Sequence, residues 1–419
     1  MSAEMTVLSN GLRVVTDINK AVDTVALAVC IGSGSRNESL ELNGISHLLE
    51  HMVFKGTRNR NAYQIAMEMD DIGGHLNAYT SRDHTAFYAK VLKRDIRLSV
   101  DILSDIFLNP QLDESEFLKE KEVVIQEIHQ SFDTPEDIVY DYLQSTAYPN
   151  QAIGYPILGT LDSVRSIKVH DLKKYLEIFY VSSNTIISCS GNFEKDDFID
   201  LLESYFHETK LGKSVEVAPV EYIGGNNRVS KKIEQLQIAL GFNGYNVHHP
   251  DFYSLAALSV ILGEGMSSRL FQEVRERHAL AYSVFSSVSA QDNSSLLSVY
   301  AGTTPDNSNQ LIKILCKEIS AISSNLKLEE IKRAKAQLKS SLLMSLESVD
   351  GRCIHYARQV LLFGKLLENK EILSKIDDVC IKSIERASQK VFSSKPTLSV
   401  VGDSGNIPGY SEIADSIFC

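Results

Sequence analysis

Apolar and polar positions along this chain follow one order of patterns, and that order occurs twice. In the first half, residues 24–31 (Thr-Val-Ala-Leu-Ala-Val-Cys-Ile) have the length and β-branched content of a buried strand. Apolar residues then recur at three- and four-residue spacing over 43–54 and 62–72, as on amphipathic helices. A hairpin pattern covers 75–91, with Ser81-Arg82-Asp83 at its turn, and another helix pattern covers 94–107. The second half repeats the series: a strand over 235–242, helices over 252–262 and 268–277, a hairpin over 281–301 and a helix over 306–322. Each half adds further helices and closes on a similar strand, 185–189 and 397–401, followed by Ser190-Gly191-Asn192 and Gly402-Asp403.

A repeat of roughly 200 residues is domain-sized, so the pattern predicts two similar α+β domains rather than a solenoid. Each is expected to be a mainly antiparallel sheet packed with helices. Pro219 and the pair Gly224-Gly225 mark residues 213–229 as a linker between a first domain, 1–212, and a second, 230–419.

Composition narrows the function without naming it. The chain has 419 residues, 43% hydrophobic and 23% charged, as in ordinary globular proteins. A formal net charge of −12 leaves no excess of Lys and Arg to displace counterions, which argues against nucleic-acid binding. Cys30, Cys189, Cys316, Cys353, Cys380 and Cys419 are scattered with no CxxC spacing, so neither a disulfide framework nor a cysteine zinc site is expected. No apolar run approaches the ~20 residues of a membrane span. The first residues lack a secretion signal and an Arg-rich leader. A cytoplasmic protein is expected, with a processed mitochondrial matrix protein as the alternative. Gly263-Glu264-Gly265 lacks the Lys-Ser/Thr of a phosphate loop and the full dinucleotide fingerprint, so nucleotide binding is excluded.

One string carries chemistry. In His47-Leu48-Leu49-Glu50-His51, positions three and four apart share a helix face. Two imidazoles one turn apart can clamp a zinc ion, and a carboxylate between them can reach the water that such an ion activates. This is the inverted form of the His-Glu-x-x-His motif, which points to metal-assisted peptide hydrolysis. The corresponding helix of the second half, around Leu255-Ala256-Ala257-Leu258-Ser259, has no ligands, so one catalytic and one supporting half are expected. A catalytic zinc site needs a third protein ligand from another element. The helix pattern over 117–128, which Asp113 can cap, presents Glu120 and Glu127 two turns apart on one face.

The string His47-Leu48-Leu49-Glu50-His51-Met52-Val53-Phe54-Lys55-Gly56-Thr57, with Glu127 downstream, resembles the pitrilysin/insulysin family of inverted-motif zinc metallopeptidases. Residues 73–82 (Gly-Gly-His-Leu-Asn-Ala-Tyr-Thr-Ser-Arg) and 266–275 (Met-Ser-Ser-Arg-Leu-Phe-Gln-Glu-Val-Arg) extend the likeness over essentially the whole chain. Within the family it is most similar to the branch of the mitochondrial processing peptidase β subunit and its bacterial homologues. The resemblance implies one zinc per chain held by His47, His51 and Glu127, with Glu50 as general base and Glu120 as an acid beside the ligands. It further implies that Asn77 and Ala78 hold an extended peptide by strand addition. By the same likeness Phe54 lines the pocket beyond the scissile bond. Asp137 and Asp141 receive a basic residue, and Arg275 and Tyr282 reach the peptide from the half opposite the zinc. For Asp137 a second reading stands beside this one, because Thr134-Pro135-Glu136-Asp137 also reads as a helix start with an acid at its third position.

Large family members carry four such domains around a chamber. This chain shows two, so the resemblance implies a homodimer acting on oligopeptides or unfolded, presequence-like segments. The alternatives are a catalytic subunit that needs a different partner chain, and a noncatalytic scaffold descended from a peptidase.

Overall fold

In the computed structural model, which describes residues 3–213 and 217–418, the duplication is written in two sheets. Cys419 and positions 214–216 of the expected linker lie outside the described residues, and residues 225–229 of that expected linker form a strand of the second sheet. The first sheet contains β1 (Glu4–Val7), β2 (Arg13–Ile18), β3 (Thr24–Ile31), β4 (His75–Thr80), β5 (Thr85–Leu92) and β6 (Thr185–Gly191), in the order β1-β2-β6-β3-β5-β4. The second contains β7 (Gly225–Val229), β8 (Leu236–Asn243), β9 (Ala281–Ala290), β10 (Ser295–Thr303) and β11 (Thr397–Val401), in the order β7-β11-β8-β10-β9. Without β1 the two orders are the same. Each sheet has one parallel pairing, β2 with β6 and β7 with β11, among antiparallel neighbours. The expected mainly antiparallel α+β architecture is therefore present.

The first half supplies helices α1 (Ile45–Val53), α2 (Ala62–Asp71), α3 (Ile96–Leu108), α4 (Glu114–Asp133), α5 (Pro135–Ala147), α6 (Leu161–Ser166), α7 (Val169–Phe179) and α8 (Lys195–Tyr205). The second supplies α9 (Phe252–Gly263), α10 (Ser308–Ala321), α11 (Leu328–Ser345), α12 (Val349–Phe363), α13 (Asn369–Asp377), α14 (Ile381–Phe392) and α15 (Tyr410–Phe418). The segment expected as an ordinary helix over 268–277 contains instead a π-helical stretch, Phe271–Arg277. The apolar spacing of such a stretch resembles that of an α-helix, so the pattern alone does not reveal the wider turn. No helix among the described residues is long and apolar enough to cross a membrane.

Two compact units form, and they interleave in sequence. One comprises residues 3–129, 155–213 and 343–368; the other comprises 130–154, 218–342 and 369–418. Residues 130–154, inside the block 1–212, thus cluster with the second sheet, and 343–368, inside the block 230–419, cluster with the first. In the first unit α12 lies on β2, β3 and β6, burying Cys353, Tyr356, Ala357 and Val360 against Val15, Ala28, Cys30 and Ile186. In the second, α5 lies on β8 and β11, burying Val139, Leu143 and Ala147 with Ala239 and Val401. Both central strands β3 and β8 are buried on both faces because helices cover both.

Candidate functional site

The sequence of α1 explains its setting. Ile45, Leu48, Leu49, Met52 and Val53 are buried, which leaves His47, Glu50 and His51 on the partly open side. Gly44 precedes the helix with φ of 94°, and a Cβ there would meet the Leu158 carbonyl oxygen at 2.7 Å. The buried Glu38 carboxylate accepts hydrogen bonds from the backbone of Gly44 (2.8 Å) and Ser46 (2.9 Å), the Ser46 hydroxyl (2.5 Å) and the Asn43 amide (2.8 Å). It satisfies helix-start N–H groups where the helix dipole is positive. Burial pushes its carboxyl up from the ordinary range, against these donors.

Acids arrive on α4, whose start Asp113 caps by accepting from the backbone of Ser115 (2.8 Å) and Glu116 (3.1 Å). Glu127 sets its Oε2 3.5 Å from His47 Nε2 and its Oε1 3.6 Å from His51 Nε2. One ligand atom from each of His47, His51 and Glu127 lies within 4.8 Å of the others. Donors bound about 2.1 Å from a tetrahedral zinc stand about 3.4 Å apart, so the spacing fits that ion. Burial, with His51 adding, pushes the His47 imidazole down to about 3, leaving it in the neutral form that ligates. His47 Nδ1 is buried with no hydrogen-bond partner among the described residues. Two imidazoles and one carboxylate form a donor set suited to zinc.

Further polar groups stand around the trio. Glu120, nearly buried, places Oε2 3.2 Å from His51 Nδ1. The Thr80 hydroxyl, at the end of β4, donates to Glu50 Oε2 at 2.6 Å. Burial pushes the Glu50 carboxyl up from its usual value, while the Thr80 hydrogen bond and His51 pull it down.

β4 is the edge of the first sheet, and α1 packs beside it. Asn77 is exposed and its Oδ1 accepts from the Ala78 N–H at 2.8 Å; Ala78 is half-buried. The hairpin turn is stiffened by Tyr79 Oη on His84 Nε2 (2.9 Å) and by His84 Nδ1 on Asp83 (2.8 Å). Phe54 is half-buried and packs against Phe87, ring centroids 6.1 Å apart.

The remaining predicted residues belong to the second unit. Asp137 and Asp141 project from α5. Thr134 does not cap that helix through its side chain; its hydroxyl donates to the Gln130 carbonyl at 3.0 Å. The exposed Asp137 therefore takes no part in a capping box. The Arg275 guanidinium lies between the rings of Phe271 (4.9 Å) and Tyr282 (4.3 Å) and donates to the Tyr282 carbonyl at 3.1 Å. Thr80, Glu38 and Phe271 were not singled out by the sequence. Only Phe271 carried a local signal, four residues before Arg275.

The family model described as insulinase (peptidase family M16) matches residues 13–161, and the peptidase M16 inactive domain matches 166–338. This chain belongs to peptidase family M16. An uncharacterized zinc protease of Bacillus subtilis, YmxG, is 39% identical over 95% of this M16 chain and 98% of its own length. A probable mitochondrial-processing peptidase subunit beta of Arabidopsis thaliana is 30% identical over 97% of this chain and 80% of that protein. Among solved structures, a protease from Helicobacter pylori superposes with a TM-score of 0.90 at 25% identity, covering 96% of this chain and 99% of that one. A chain of complex III2 from Candida albicans shares the fold, with a TM-score of 0.89 at 23% identity, covering 99% and 100%. The pitrilysin/insulysin resemblance read from the motif strings is thus the family of the chain, and several of its relatives are named zinc proteases.

Proposed function

We propose that this M16 protein is a zinc endopeptidase that cleaves extended oligopeptides or unfolded, presequence-like segments. The observation that carries the reading is the convergence of His47, His51 and Glu127 from α1 and α4, with Glu50 three residues after His47 and next to His51 on α1. Those three residues would hold one zinc per chain. Bound there, it supplies Lewis acidity to the scissile carbonyl and to the attacking water. Glu50 takes the proton of that water and delivers it to the leaving amine, and Thr80 keeps the carboxylate aimed. Glu120 holds the His51 ring in the tautomer and orientation that ligate.

Support for strand addition comes from the free edge of β4 beside α1. An incoming peptide pairs there, with Asn77 and Ala78 at the reacting bond and Phe54 lining the pocket beyond it. Asp137 and Asp141 attract a basic residue of the substrate. Arg275 and Tyr282 bind the peptide from the noncatalytic half, so two chains assemble as a homodimer in which each zinc faces the partner's second half. The name of the Arabidopsis relative, a subunit, favours a second reading in which a different chain plays that part.

The test is cleavage of a quenched fluorescent peptide bearing arginines by the purified chain, with zinc content and gel filtration measured on the same sample. Chelator-sensitive cleavage abolished in Glu50→Gln, with one zinc per chain in a dimer, supports the homodimeric peptidase. Zinc without cleavage supports the second reading, and no zinc leaves the noncatalytic scaffold.

A further inference from the structure

Glu120 is a carboxylate with only 6% of its side chain exposed, and the cation of Lys55 stands beside it. Lys55 Nζ stands 2.7 Å from Glu120 Oε1, while Glu120 Oε2 faces His51 Nδ1 at 3.2 Å. The two oxygens of one carboxylate thus join the ammonium to the imidazole. Lys55 follows His51 by four residues, just beyond the end of α1, where the chain still turns: its N–H donates to the Met52 carbonyl at 3.1 Å. A side chain four positions on returns to the same helix face. Its ammonium also sits beside the negative end of the helix dipole.

The segment after Lys55 is pinned as well. Thr57 Oγ1 donates to the buried Asp105 carboxylate at 2.5 Å, Asn59 Nδ2 at 2.8 Å and Arg60 Nη1 at 3.1 Å. Lys55 therefore leaves a fixed backbone, and its side chain is two-thirds covered.

We infer that Lys55 is a positioning residue for the metal site: it clamps Glu120 in the orientation that holds the His51 ring for zinc. The inference rests on the reading of His47, His51 and Glu127 as zinc ligands. Its physical basis is an asymmetry within the pair of histidines. His47 Nδ1 has no hydrogen-bond partner among the described residues, so no polar group supports the His47 ring from the side away from Glu127. His51 has Glu120 behind it, and Glu120 has Lys55. A buried carboxylate that loses its cation turns toward water or other donors, and the imidazole then loses its support. Outer partners of metal-bound histidines are worth about 10–100-fold in metal affinity.

The experiment measures zinc affinity of the metal-stripped full-length chain by competition with a chromophoric chelator at fixed pH, so the readout does not depend on turnover. Lys55→Met and Glu120→Gln are each expected to weaken zinc binding about 10–100-fold. The double variant should bind no more weakly than either single one, since both break the same chain of contacts. Lys55→Arg should recover most of the affinity. Thermal unfolding of the metal-free variants checks that each is folded, and Lys55→Gln replaces Lys55→Met if the latter is not. Wild-type affinity in folded Lys55→Met, or losses that multiply in the double variant, overturns the inference. His47→Ala separates the two levels. If it abolishes zinc binding while Lys55→Met does not, the ligand reading stands and the clamp falls. If it leaves zinc binding intact, both fall.

Discussion

Thr80 Oγ1 lies 2.6 Å from Glu50 Oε2, joining the last residue of the edge strand β4 to the carboxylate of the metal-motif helix α1. The bond ties the strand on which a peptide would be laid to the group that would take the proton of the attacking water. A general base within reach but free to rotate loses the geometry on which proton transfer depends. Hydrogen bonds to charged groups contribute about 1.5–3 kcal/mol. Thr80→Val keeps the shape and removes the donor, so kcat should fall about 10–100-fold with KM nearly unchanged. Thr80→Ser should retain most of the activity. A fall in Thr80→Val confined to KM would show that Thr80 serves the strand and not Glu50.

Metal removal should act on one unit. The trio His47, His51 and Glu127 joins α1 to α4, two elements of which nothing in the sequence between them demands close approach. An ion bound to the folded form stabilises it by about 2.7 kcal/mol when present at 100 times its dissociation constant. Chelation should therefore lower the melting temperature, and added zinc should restore it. Amide hydrogen exchange should quicken on chelation in α1 and in α4 as far as His129, the stretch that carries Glu120 and Glu127. β9 and β10 should exchange as before; uniform quickening over both units would contradict a site confined to the first.

Much of this site was legible because helical periodicity is local. The spacing of His47, Glu50 and His51, and of Glu120 and Glu127, follows from 3.6 residues per turn, and the structure places all five where that geometry requires. Thr80 was not legible, since its role depends on β4 docking beside α1 and no pattern in the intervening residues encodes that. Glu38 was hidden for the same reason: an acid in a loop resembles any solvated acid until its carboxylate is found buried on Gly44 and Ser46. The duplication was readable as repeated order. The interleaving of α5 and α12 was not, because an apolar stripe on a helix says that a sheet will cover it and not which sheet.

Arg275 tests the second unit. Its guanidinium is held between Phe271 and Tyr282 by the π-helical stretch and by Ala279, which takes the left-handed conformation at φ of 50° just before β9. Backbone strain of this kind costs about 1–2 kcal/mol and persists where the surroundings fix it. With Arg275 as a peptide contact, Arg275→Lys should raise KM about tenfold and leave kcat within twofold, because a lysine cannot reproduce the planar stack and fork. Phe271→Leu should raise KM by a smaller factor, in keeping with the about 0.5–2 kcal/mol of one cation–π contact. Unchanged KM in both variants would make the stack a structural feature only.

The interleaved helix α12 supplies the last prediction. Asp17 on β2 is 1% exposed, and its carboxylate is met by the Arg352 guanidinium from α12 and by the Ser190 hydroxyl from β6. A charge so deeply buried is tolerable only when paired. Arg352→Met removes the cation and leaves Asp17 uncompensated, which should destabilise the protein by about 3–5 kcal/mol. Adding Asp17→Asn to Arg352→Met removes the stranded charge and should recover a large part of that loss, since Ser190 can still hydrogen-bond the amide. Denaturant unfolding of the three variants measures both numbers. If Arg352→Met costs under about 1 kcal/mol, the pair behaves as a solvated surface bridge, and α12 is held on the first sheet mainly by the apolar contacts of Cys353, Tyr356, Ala357 and Val360. If the double variant is less stable than Arg352→Met, the carboxylate has a stabilising partner besides Arg352, and the argument from a stranded charge fails.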